Sequence, residues 1–135
     1  MKKIKNAKLE SVLMFFNKLV VLDFEDFDVA LDIANESSVI EKVLTGFYKL
    51  RDALKEKANK VKQDDPEFEK IQNKLNLDWV KLLDTETNVD LKFKVTKSFL
   101  KEHNVKLKPL EIKLIMDLGI YEDDTIKEVE IEEVN

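Results

Sequence analysis

One periodicity constrains this chain more than any other feature. Ile33, Ile40, Phe47, Leu54 and Val61 recur every seven residues, and Val43, Leu44, Leu50 and Ala58 fill positions between them. Seven residues are close to two helical turns, so these side chains share one broad apolar face. A helix over residues 28–62 follows, roughly 40 to 50 Å long. Ser38 three residues before Glu41 makes a capping-box pattern and Asn35 can end a preceding turn, so a break near Asn35 is the alternative to one helix. The unbroken phase through Ile33 and Ile40 favours a continuous one.

A stripe of that length has to be covered. QDDPE ends the helix, with Asp65 placed to cap the next one and Pro66 to start it, where a missing N–H costs nothing. Phe68, Ile71, Leu75, Trp79 and Leu82 carry the helical spacing to about Leu83. So short a connection leaves the two helices as antiparallel neighbours, an αα-hairpin with Trp79 as a large anchor in its seam. Upstream, Leu9, Val12, Leu13, Phe16 and Leu19 or Val20 mark a core-facing helix over residues 8–19, behind a short extended start.

The remainder is mixed. Val89, Leu91, Phe93 and Val95 alternate with Asp90, Lys92, Lys94 and Thr96, the period of a half-buried strand. DTETN before it reads as a turn, with Asn88 suited to a left-handed exit. TKSFLKEHN is a short helix capped by Thr96 and ended at Asn104, which places His103 in its last turn beside the negative end of the dipole. PLEIKLIMDLG is a second short helix, apolar enough to be largely buried, with Pro109 near its start and Gly119 past its end. In the tail IKEVEIEEV, Val129 and Ile131 alternate with glutamates, as in an edge strand. Antiparallel pairing with 89–95 would set Lys92 and Lys94 opposite Glu128, Glu130 and Glu132. The fold class expected is α+β, predominantly α: a long-helix αα-hairpin with additional short helices and a small antiparallel β element. At 135 residues and 44% hydrophobic content the chain is expected to form one domain, 1–135, helical over 1–83 and mixed over 84–135.

Several chemistries lack their residues. The run Asp84, Glu86, Asn88, Asp90 has the alternate spacing of a calcium loop, but Val89 stands where such a loop needs glycine and Val95 where it needs glutamate. With no cysteine and one histidine, neither a zinc site nor a thiolate centre can be built. No glycine-flanked serine pairs with His103, and Gly46 and Gly119 stand apart, so neither a catalytic triad nor a phosphate loop is written here. No enzyme, metal or cofactor is expected. A net charge of −5 with 38% charged residues means interspersed signs, which argues against nucleic acid as partner. The N-terminal MKKIKNAKLESVLMFF is interrupted by Lys8, Glu10 and Asn17, so it reads as neither leader nor membrane span.

LDFEDFD, residues 22–28, stands apart because it interleaves Phe24 and Phe27 with Asp23, Glu25, Asp26 and Asp28. Either both rings enter the core while the acids favour the positive end of the long helix, or the rings are anchors and the acids orient a protein partner. The contact residues expected in the second case are Phe24 and Phe27, with Val129 and Ile131 of the tail as a further docking strand.

KIKNAKLESVLMFFNKL, IEKVLTGFYKLRDALKEKA and LNLDWVKLLDTETNVDLKFKV running to LKPLEIKLIMDLGI together resemble a loose family of small, uncharacterised proteins encoded by tailed bacteriophages. The likeness spans about residues 1–122 and includes the pattern LLxxExxxD at Leu82, Leu83, Glu86 and Asp90. It departs in LDFEDFD, where the family is less acidic, and in the EVEIEEV tail. The resemblance implies a phage setting and carries over no catalytic residue. Two functions are compatible with it: a virion or assembly component that binds other phage structural proteins or a copy of itself, and an effector that binds and inhibits a host defence or metabolic protein, as an acidic mimic of nucleic acid for example. The expected location is the host cytoplasm during synthesis, and the virion for the first function.

Overall fold

A computed structural model describes residues 2–125, and the tail with Val129 and Ile131 lies outside them. In chain order the elements are β1 (Lys2–Lys5), a 3-10 turn (Asn6–Lys8), α1 (Leu9–Val20), α2 (Phe27–Lys60), α3 (Phe68–Asp84), β2 (Glu86–Val89), β3 (Val95–Thr96), α4 (Lys97–Glu102), α5 (Pro109–Asp117) and β4 (Tyr121–Glu122). The protein is predominantly helical, α+β in class.

The sevenfold stripe forms one unbroken helix of 34 residues. Asp26 caps it by accepting the backbone N–H of Asp28 at 2.9 Å, which satisfies one of the donors orphaned at a helix start. Asn35 and Ser38 lie inside it, because covering the phase through Ile33 and Ile40 outweighs a local cap. Burial along the stripe is graded. Ile33, Ile40, Leu44 and Phe47 are buried, whereas Leu54, Ala58 and Val61 are only half-covered. The buried part is covered by α1, through Leu9, Val12, Phe15, Phe16 and Leu19. Each such side chain stabilises the fold by about 1.5–3 kcal/mol relative to exposure. Phe15 takes the core position expected of Leu13, which is half-buried, and Val20 points out.

Toward the connection α3 packs along α2, where Leu54, Ala58 and Val61 are only half-covered, so the hairpin has a thin seam. Phe47 and Trp79 stack with centroids 6.1 Å apart, at near-equal distances from the connection, as antiparallel partners must be. No residue of α3 is fully buried. Helix α3 begins two residues later than expected. Asp65 accepts the N–H of Glu67 at 2.9 Å, and Phe68 N–H donates to the Asp65 carbonyl at 3.0 Å. Asp65 and Pro66 thus close a turn, and the helix starts after it.

The β element differs most from expectation. Glu86–Val89 is a strand, not a turn, and its antiparallel partner is β1, in the register Lys2↔Val89, Ile4↔Thr87 and Lys5↔Glu86. Residues 90–94 are not a strand at all. The expected burial alternation survives, since Val89, Leu91 and Val95 are buried, but the backbone N–H groups of Lys92 and Phe93 go to a side chain described below. A second bridge, β3 with β4, is parallel. Among the described non-glycine residues the left-handed one is Asn104 (φ 51°), at the exit of α4, and not Asn88. Thr96 caps α4 by accepting the N–H of Phe99 at 3.0 Å. Helix α5 is less buried than its composition implied. Only Ile115 is fully enclosed, and Leu110, Ile112 and Met116 face outward, because α5 packs on α1 and β4 through part of its surface and leaves the rest uncovered.

Candidate functional site

The acidic aromatic segment divides its two rings between core and surface. Phe24 precedes the cap of α2 and turns inward. Its ring stacks on Phe99 at 5.8 Å and meets His103 edge-on at 4.9 Å, while Phe93 closes on Phe99 at 5.4 Å. Such ring pairs contribute about 0.5–1.5 kcal/mol each beyond area burial. Phe24 is therefore part of a half-buried cluster that ties the α1–α2 connection to α4. His103, the residue that ends α4, is packed in the same cluster, 4.7 Å from Phe99.

Phe27 is on the helix proper, and the helical turn carries it away from the face defined by Ile33. Its side chain is 74% exposed. Leu31, one turn on and 44% exposed, continues the same face. Asp23, Glu25, Asp26, Asp28 and Asp32 surround the pair and are all exposed. The sequence singled out Phe27 and missed Leu31, although a leucine four residues after an exposed aromatic was the available sign. From residue 19 to residue 41 the chain holds no basic residue.

Glu36 was also missed. It lies on the apolar face between Ile33 and Ile40, 6% exposed. Its Oε1 accepts the backbone N–H groups of Lys92 at 2.7 Å and Phe93 at 3.0 Å. Two successive backbone N–H groups thus converge on one carboxyl oxygen supplied by α2. Oε2 is buried with no hydrogen-bond partner among the described residues. An acid in phase with a buried stripe was the visible signal.

Further polar contacts hold the elements that frame this corner. Tyr48 donates to Glu10 at 2.6 Å, which with burial raises its phenol above the ordinary value, and the Arg51 guanidinium lies 4.2 Å over its ring. Asp124 accepts the N–H of Ser98, chiefly through which its carboxyl is held below the ordinary value. The calcium-like run contributes no site: Asp84 pairs with Lys5 at 2.9 Å, Glu86 and Asn88 are in β2, and Asp90, just past it, lies 3.6 Å from the Lys92 ammonium. Among the described residues no three His, Cys, Asp or Glu side chains are grouped to hold a metal ion, and no helix is long and apolar enough to cross a membrane. Shallow depressions lie on the outer face of α2 around Ser38 and Thr45, and between α4 and Ile112. The arrangement offers an exposed apolar pair in an acidic surround on a rigid helix, which suits recognition of a protein surface.

Compared with protein-family models, curated proteins and solved structures, the chain matches none.

Proposed function

We propose that this is a non-enzymatic phage protein, a virion or assembly component that acts by docking other phage proteins on the acidic end of α2. One observation carries the docking part: Phe27 is 74% exposed at the first turn of a helix whose cap and neighbours are acidic. Burying an aromatic ring and a leucine supplies area, and the acids select a basic partner and steer its approach. The phage setting rests on the sequence resemblance alone. Phe24 acts indirectly in this reading, by bracing the connection that presents Phe27. Mass spectrometry of particles purified from the encoding phage tests it. The chain should be present there, and its Phe27→Asp variant should be depleted at equal expression. Absence of the wild-type chain from particles refutes the virion role.

The second reading is an effector that occupies a host protein. The observation in its favour is the run from residue 19 to residue 41 with seven acids and no base, which suits a host surface built for phosphates. A chain absent from particles but recovered from infected cells with one host protein in equimolar amount would favour it.

A further inference from the structure

Helices α4 and α5 meet β4 around an open hollow of about 410 Å³. Leu100, Val105, Ile112 and Tyr121 give it an apolar lining, Lys97 and Lys101 stand one turn apart on its α4 side, and among the described residues no acidic side chain lines it. Ile112 is 37% exposed, and Met116, one turn further along α5, is 59% exposed, so apolar surface continues past the hollow. This combination fits a segment that is apolar on one face and acidic on the other, because lysine stems follow an apolar surface while their ammonium heads stay at its rim. The chain itself brings acids to that rim. Leaving β4, Asp123 lies 3.8 Å from the Lys97 ammonium, and Asp124 accepts the N–H of Ser98 at 3.1 Å. Asp123 also accepts the N–H of Thr125 at 3.1 Å, which fixes Thr125 beside the start of α4. Residues 126–135 follow it, with Glu128, Glu130, Glu132 and Glu133 against the single base Lys127, and with Val129 and Ile131 alternating with the first three glutamates.

We propose that the hollow is the docking site of residues 126–135 of the same chain, with Val129 and Ile131 seated against Leu100, Val105 and Ile112 and the glutamates facing Lys97 and Lys101. In an extended segment alternate side chains point to opposite faces, which is the division of apolar from acidic that the hollow takes. The reach is sufficient. A run of that length spans up to about 33 Å, whereas α4, at six residues, is about 9 Å long. Tethering decides between this segment and others of like chemistry. A short connection from Thr125 holds it at an effective concentration in the millimolar range, above that of an acidic segment free in solution or carried by a second copy at micromolar concentration. The inference uses neither Phe27 nor the docking reading built on it.

The chain has no cysteine, so a spin label on Lys113→Cys, exposed on α5 beside Ile112, reports on the tail by NMR of the full chain. Broadening should be strongest at Val129 and Ile131. It should be lost in Ile112→Asp and reduced several-fold in Lys101→Glu, and likewise in Glu128→Lys with Glu130→Lys, all with unchanged helical circular dichroism. Tail broadening indifferent to Ile112 and Lys101 overturns the proposal, since a tail tethered at Thr125 and seated nowhere behaves in that way. Broadening passed from a labelled, NMR-silent copy to an unlabelled one assigns the hollow to another copy's tail and overturns it as well. So does a hollow whose signals respond to Phe27→Asp and not to the tail substitutions, which would make the acidic end of a second copy's α2 the occupant.

Discussion

The Oε1 of Glu36 lies 2.7 Å from the backbone nitrogen of Lys92 and 3.0 Å from that of Phe93, within residues 90–94 where the chain forms no strand. Glu36→Ala leaves that N–H and the N–H of Phe93 without their acceptor and removes volume from the core. Buried donors stranded in this way cost about 1–3 kcal/mol each. Urea denaturation should show a loss of about 2–4 kcal/mol, with hydrogen exchange at Lys92 and Phe93 accelerated beyond the change at Val89. A loss confined to global stability, with those two amides unaltered relative to their neighbours, would show that the contact does not hold the segment.

Graded burial along α2 predicts graded mutational cost. Ile40 is fully buried and Leu54 half-covered. Ile40→Ala should cost about 2–5 kcal/mol, as deletions in closed cores do, and Leu54→Ala about 1–2 kcal/mol, closer to a surface change. Equal costs in denaturant titrations would mean that the distal hairpin is as well covered as its root.

The two glycines should respond with opposite signs. Gly46 is inside α2, and a Cβ there meets nothing within 4 Å, so Gly46→Ala should stabilise by about 0.5–1 kcal/mol through helix propensity and a less flexible unfolded chain. Gly119 has φ +70°, and a Cβ there comes 3.0 Å from the Lys2 ammonium. Gly119→Ala should destabilise by about 1–2 kcal/mol. Paired thermal melts decide both signs.

Lys18 and Glu111 join α1 to α5 at 2.6 Å. Burial pushes the Glu111 carboxyl up, but the Lys18 ammonium and the Lys108 backbone N–H outweigh it and hold the group below its ordinary value. A carboxyl depressed by folding stabilises the fold above its unfolded pKa, and that contribution disappears as pH falls through the folded value. Lys18→Met should therefore cost about 1 kcal/mol at neutral pH, moderated because the Lys18 side chain is 39% exposed. The difference in melting temperature between wild type and variant should shrink as pH drops below the usual carboxylate range. A difference constant with pH would assign the cost to the lysine stem instead of its charge.

What the sequence determined by itself was local. The sevenfold stripe dictated α2, helical spacing dictated α1 and α3, and Thr96 and Gly119 marked their helix ends, because periodicity and caps act within a few turns of the chain. Periodicity says which face of a helix is apolar without saying what covers it, so only the tertiary structure decided that Ile40 is enclosed and Leu54 half-covered, or that one side of α5 is left to solvent. Strand partners are non-local in the same way. Val89 to Val95 had the alternation of a strand, yet β1 arrives from the far end of the chain to pair with residues 86–89, and a backbone N–H takes whichever acceptor the fold brings to it, which for Lys92 and Phe93 is a carboxylate of α2. The two rings of LDFEDFD were separated by three positions of backbone geometry: the irregular chain before α2 brings Phe24 onto Phe99, and the first helical turn leaves Phe27 in solvent.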